Sequence, residues 1–143
     1  MRKVLLTMLF LSCFSGNAQE SDVKAAIMTF FDGLQTKDTL KINSVISKEM
    51  VLHSIAEMPG GGKFSAEKAS EFTKSVLSIP AGLKIEERIL SYDIHIDGSL
   101  ATAWTPYEFY VNDKLSHRGV NSFQLFKDNG QWKIVYIIDT RRK

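Results

Sequence analysis

Apolar residues recur at Val23, Ala26, Ile27, Phe30, Phe31 and Leu34. That is the i, i+3, i+4, i+7 spacing of a helix with one buried stripe, and Ser21 or Asp22 is placed to cap it. Asp38 can cap a second, shorter helix with Ile42, Val45 and Ile46 turned inward. Met50 to Ile55 is apolar enough for a short strand. After Gly60-Gly61-Gly62, Ser65 can cap a third helix carrying Ala69, Phe72, Val76 and Leu77 on one side, and Ile79-Pro80-Ala81-Gly82 ends it.

The period then changes. Between Lys84 and Asp139 the turn signals Asp97-Gly98, Asn112-Asp113 and Asn129-Gly130 come about every 15 residues, which predicts four long strands in a meander. A two-residue turn at Asp97-Gly98 sets Tyr92 opposite Ala103 and Ile94 opposite Ala101. A three-residue turn at Asn112 to Lys114 sets Ala103 opposite Phe123, Tyr107 opposite Gly119 and Glu108 opposite Arg118. A two-residue turn at Asn129-Gly130 sets Leu125 opposite Ile134 and Phe123 opposite Tyr136.

With these registers one face collects Leu90, Tyr92, Ile94, Ala101, Ala103, Phe109, Phe123, Leu125, Ile134 and Ile138. The other collects Ser91, Asp93, Glu108, Arg118, Gln124 and Lys133, together with Trp104 and Tyr110. A one-sided antiparallel sheet requires such a division. Pro106 cannot donate a ladder hydrogen bond and predicts an edge or a bulge that bends the sheet. The expected architecture is α+β, three amphipathic helices packed on a strongly curved, mainly antiparallel sheet with a concave mouth.

Composition adds a compartment. The chain has 143 residues, 44% of them apolar and 24% charged, with one Cys; that suits a single domain and excludes a disulfide scaffold or a disordered chain. Residues 1–18 read as a secretory signal: Arg2 and Lys3, an apolar stretch from Val4 to Phe14, and Gly16 and Ala18 at the −3 and −1 places before Gln19. The stretch is too short for a bilayer span of about 20 residues. A second reading takes Cys13 as an acylated lipoprotein cysteine. The expected domain is 19–143, exported to the periplasm or secreted. The 18 basic side chains fall to 16 once Arg2 and Lys3 are removed, against 16 acidic. A neutral, cysteine-free domain has no thiol chemistry and lacks the basic stripe that nucleic acid requires. No further run is long enough to be embedded in a membrane.

The order of elements resembles the nuclear transport factor 2-like superfamily. The segments Ala103-Trp104-Thr105-Pro106-Tyr107-Glu108-Phe109-Tyr110, Ser116 to Leu125, Gly130-Gln131-Trp132-Lys133-Ile134 and Asp139-Thr140-Arg141-Arg142 carry the resemblance. They are similar to the bacterial branch called putative lumazine-binding or polyketide-cyclase-like (SnoaL-like). The resemblance implies a cone-shaped fold with a pocket between sheet and helices, often dimeric through the sheet. It implies no particular reaction. Catalysis does not carry over residue by residue. Ketosteroid-isomerase-like members use a Tyr on the first helix, where this chain has Phe30 and Phe31, and an Asp near the first strand, where Ser47 to Glu57 has none. Polyketide cyclases use a carboxylate on a late strand; here that is Asp139, which the register turns away from the pocket.

The register places Tyr107, His117 and Asn121 on the inner face near the open end, with Tyr136 further along and His53 on the short strand. Polar groups among aromatics in a concavity are the usual make-up of a small-molecule site, and His117 is able to titrate near neutrality. His95 falls on the polar face. No spacing motif unites His53, His117 and a carboxylate, so no metal is expected. Gly60-Gly61-Gly62-Lys63 lacks the Ser or Thr and the parallel crossover of a phosphate loop and reads as a turn. No Gly-x-Ser-x-Gly elbow is present. Trp104 and Tyr110 on the outer face point to a homodimer. The expectation is an exported, cofactor-free domain that binds an apolar or aromatic small molecule. The alternatives are an isomerase, cyclase or dehydratase using His117 or His53, and a non-catalytic dimeric interaction module.

Overall fold

The structure, a computed structural model, describes residues 11–143. The proposed leader, including most of its apolar stretch, therefore lies largely outside the described residues. Helix α1 (Leu11–Thr36) buries Val23, Ala26, Ile27, Phe30 and Phe31. It runs unbroken past Ser21 and Asp22, so neither residue caps it. At its end Lys37 takes a left-handed conformation with φ 58°, and the Asp38 N–H returns to the Gly33 carbonyl at 2.8 Å. Asp38 then caps α2 (Thr39–Val45), its Oδ1 accepting from the Leu40 and Lys41 N–H groups at 3.0 and 3.1 Å. The Lys37 ammonium donates to the carbonyls of Pro80, Ala81 and Leu83, pinning a distant loop to this corner.

The predicted short strand is longer than its apolar segment. It is β1 (Ile46–Met58), joined through Pro59-Gly60 to β2 (Gly61–Lys68) as a hairpin, with Met58 opposite Gly61. The glycines form this hairpin turn, Gly60 and Gly61 having φ 95° and 136°. Ser65 lies inside β2, opposite Ser54, so it is not a helix cap. The third helix, α3 (Ala69–Leu77), starts four residues later, where the Lys68 N–H donates to Glu71 Oε2 at 2.9 Å. Ala69, Phe72 and Val76 are buried, as the spacing predicts, whereas Leu77, expected on the same side, is exposed.

The second half is β3 (Ile85–Ile89), β4 (Asp93–Asp97), β5 (Leu100–Val111), β6 (Lys114–Asp128) and β7 (Gln131–Arg141). The sheet order is β2-β1-β7-β6-β5-β3, with β4 also on β5. Every pair is antiparallel except β1 with β7. The first meander strand is thus two pieces sharing one edge of β5. The break falls beside Pro106, whose carbonyl accepts from Leu90 N–H at 2.8 Å but which has no N–H to return. Across the break the inward parity changes from Ile85 and Ile89 to Ile94 and Ile96, and Leu90, predicted inside, is 61% exposed.

Two bulges set the remaining registers. The Asn112-Asp113 turn has two central residues, both with positive φ, rather than three. An extra residue, Ser116, restores the pairing, so Tyr107 still meets Gly119 and Glu108 still meets Arg118. On β7, Leu125 meets Ile134 as predicted, but Val135 is then extra and Phe123 meets Ile137, not Tyr136. Beyond Val135 every β7 side chain is on the face opposite to the predicted one. Ile137 and Asp139 point in; Tyr136 and Ile138 point out. Phe30, Phe31, Phe72 and Phe123 meet between helices and sheet with ring centroids 5.3–6.4 Å apart. No described helix is long and apolar enough to cross a membrane.

Candidate functional site

Beyond the phenylalanine cluster the sheet curls away from the helices and leaves a cavity of about 230 Å³. Its apolar wall comes from Phe30, Phe31 and Leu34 on α1, Phe72 on α3, and Leu52 and Ile137 on the sheet. Ile79 and Leu83 close it from the loop that Lys37 holds in place. Its polar end is built by four strands: Glu87 on β3, Tyr107 on β5, His117 and Asn121 on β6, and Asp139 and Arg141 on β7. An apolar-walled hollow with a few convergent polar groups is the usual form of a small-molecule site.

Tyr107, His117 and Asn121 line this cavity. His117 and Asn121 are not bonded to each other. The His117 ring stacks on Phe109 at 4.9 Å, lies edge-on to Tyr107 at 5.9 Å, and has its Nδ1 3.2 Å from Ser116 Oγ. Asn121 Nδ2 donates to Glu87 Oε1 at 2.7 Å. The Tyr107 hydroxyl lies 2.9 Å from the Thr140 carbonyl and 3.2 Å from Asp139 Oδ2. Gly119 makes room for that arrangement, since a Cβ there would sit 1.7 Å from the Thr140 oxygen and 2.9 Å from the Tyr107 ring.

Asp139 is 5% exposed and meets three donors: the Ser54 hydroxyl, Tyr107, and Arg141 Nε at 2.9 Å. Arg141 Nη2 also reaches Ser54 Oγ at 2.9 Å. The bulge at Val135 therefore brings to the cavity the late-strand carboxylate that the unbulged register turned away. A buried carboxylate needs such compensation, and here the charge is matched by one guanidinium and two hydroxyls. Glu87 has no cationic partner among the described residues. Burial pushes its carboxyl up to about 8, with the Asp139 charge adding and the Asn121 hydrogen bond opposing. Burial also lowers the His117 imidazole, Arg141 adding and Asp139 opposing. The Tyr107 phenol is raised by burial, then by the nearby Asp139 and Glu87 charges.

His53 and Tyr136 are not in this cavity. On β1, Leu52 and Ser54 point inward, so His53 between them points out; Tyr136 is turned out by the bulge. The two meet on the outer face, His53 Nδ1 lying 2.9 Å from the Tyr136 hydroxyl and Phe64 packing 4.7 Å from the imidazole. His53 and His117 thus stand on opposite faces, and no group of three metal-ligating side chains occurs among the described residues. Trp104 is 55% exposed on the outer face, whereas Tyr110 is partly covered by the Arg88 guanidinium 4.0 Å above its ring.

Glu87, Arg141 and Ser54 escaped the sequence reading, which weighs Asp139 but turns it away from the pocket. Glu87 alone had a local signal: Ile85-Glu86-Glu87-Arg88-Ile89 alternates so that Glu87 shares the apolar parity of the two isoleucines.

Neither a protein-family sequence model nor a curated protein matches the chain. Solved structures do. An NTF2-like protein from Cytophaga hutchinsonii superposes with a TM-score of 0.71 at 12% identity, over 87% of this chain and 98% of that one. An NTF2-like protein of unknown function from Shewanella baltica gives 0.65 at 16% identity, over 88% and 95%. A protein from Streptomyces avermitilis, assigned as a dehydratase of the NTF2-like family, gives 0.69 at 14% identity, over 90% and 99%. At these identities the likeness concerns backbone architecture, and it spans nearly all of both chains. The α-helices packed on an open, curved, mainly antiparallel sheet, with a hollow between them, are the nuclear transport factor 2-like fold, and this chain has it.

Proposed function

We propose that the protein binds one small, largely apolar or aromatic molecule in the cavity between helices and sheet, with no cofactor. The observation that carries this reading is the division of a single hollow into a ring-lined body and a polar end made by Glu87, Tyr107, His117 and Asn121. Size narrows the ligand. An apolar cavity of about 150 Å³ accommodates benzene, so about 230 Å³ suits one ring with a short substituent or two fused rings. Four-ring substrates exceed it. The test is a thermal-shift and calorimetric panel of one- and two-ring aromatics against the wild type and Leu83→Trp, which fills the hollow from the half-buried loop. Binding in the wild type, weakened at least tenfold in the variant, is the expected result; equal binding by both overturns the reading.

A second reading, proton transfer on such a ligand, is favoured by one observation. Glu87 at about 8 shares the hollow with His117, whose imidazole burial lowers, and a carboxyl titrating near neutrality serves acid–base chemistry. The dehydratase assignment of the Streptomyces avermitilis protein accords with it. It requires turnover lost in both Glu87→Gln and His117→Ala, with a bell-shaped pH profile in the wild type.

The proposal extends to a homodimer through the outer sheet face around Trp104 and to export after removal of residues 1–18. Cleavage after Ala18 would leave the buried stripe from Val23 onward intact.

A further inference from the structure

We propose that the ligand carries a protonated amine, bound by the Glu87 carboxylate and the aromatic walls around it. The inference deepens the binding role above and rests on it. It starts from the pairing of charges at the polar end. Arg141 is committed to Asp139 and Ser54, and Arg88, next to Glu87 in sequence, points outward to Glu86 and over Tyr110. Glu87 Oε1 accepts from Asn121, while Glu87 Oε2 has no partner among the described residues, and neither does Asn121 Oδ1. A carboxylate in an apolar hollow with no counter-charge is costly unless a cation is delivered to it.

An alkylammonium matches these atoms. It has three N–H donors and no acceptor, against two acceptor oxygens that make no hydrogen bond to the described residues, one of them able to carry full charge. The walls suit the same group. Phe31, Phe109 and Tyr107 line the cavity together with Glu87, and aromatic rings attract a desolvated cation. An anionic ligand meets the opposite situation, since the Arg141 guanidinium on the cavity is already neutralised by Asp139. The charged and titratable groups facing Glu87 are Asp139 and Arg141 on β7, His117 on β6, Tyr107 on β5, and Asp32 on α1 across the adjoining groove, where Tyr92 also lies. Of these, Arg141 and a protonated His117 would repel the ammonium, whereas Asp139 and Asp32 would attract it.

Isothermal titration of the full chain with 2-phenylethylamine and with 2-phenylethanol, in buffers of different ionisation heat at pH 7, separates the outcomes. The expected result is amine binding about tenfold tighter than alcohol, with close to one proton released per amine because Glu87 must ionise. Glu87→Gln should remove both the preference and the proton release. Alcohol binding equal to or tighter than the amine, in the wild type, overturns the amine inference and leaves cavity binding standing. Binding of neither overturns both.

Discussion

Glu87 concentrates the chemistry of this protein into one side chain. Its carboxyl stands at about 8 in the folded chain against 4.5 for the ordinary group, so between those values the folded state holds more protons than the unfolded one. Stability then falls as pH rises through that window and levels off above it. Replacing Glu87 with Gln removes this contribution. The stability difference between wild type and Glu87→Gln, read from urea midpoints at pH 4.5, 6 and 8, should shift in favour of the variant by roughly 2–4 kcal/mol across the range. A difference that stays constant with pH would show that Glu87 is not buried uncharged. Asp139, by contrast, has its hydrogen bonds supplied by Arg141, Ser54 and Tyr107.

Among the elements, β7 decides what the cavity contains. Val135 adds one residue between the Leu125–Ile134 and Gln124–Tyr136 pairs, and all that follows on the strand changes face. Asp139 and Arg141 enter the cavity wall, whereas Tyr136 leaves to meet His53. Deleting Val135 should return the strand to the unbulged register, expose Ile137 and unpair Asp139. Loss of buried packing and of a satisfied charge puts the expected cost above about 3 kcal/mol. Asp38→Ala removes only the two capping bonds of α2 and should cost about 1 kcal/mol. Denaturant titrations of both variants check this ordering, which fails if the deletion is as mild as the lost cap. The same comparison separates local from tertiary control, since the cap belongs to a few consecutive residues and the bulge to three paired strands.

The whole molecule is a curved sheet with its inner face filled by helices and its outer face open. Trp104, Phe126 and Leu100 lie exposed on that outer face, and exposed large apolar side chains are where a second copy would be buried under the homodimer proposal. Native mass spectrometry of the chain recovered from an expressing cell reads two proposals at once. A dimer converting to monomer in Trp104→Glu supports the interface, and a chain beginning at Gln19 supports export. A wild-type monomer sinks the first, and a chain that still begins at Met1 sinks the second.

Local pattern was sufficient for much of this architecture. The α1 stripe, the Asp38 cap and the Asn129-Gly130 hairpin depend on residues near one another in the chain, and so does the alternation of Ala101, Ala103, Phe123 and Leu125. Each was legible because periodicity and turn chemistry act over a few positions. The β2 strand was not, because nearly all of it is exposed and it carries no apolar alternation to distinguish it from a loop. Tyr107, His117 and Asn121 were legible as cavity residues because Ser116 compensated for the shorter Asn112-Asp113 turn. Asp139 and Tyr136 were misplaced, and Glu87 unseen, because a bulge at Val135 and a break beside Pro106 each invert a side-chain parity of two; His53 was misplaced because Leu52 and Ser54 on either side of it take the inner face of β1. Sequence alone thus determined a one-sided sheet over amphipathic helices. Only the tertiary structure decided which charged groups face the hollow, since one added residue costs little locally and is selected by the strands on either side.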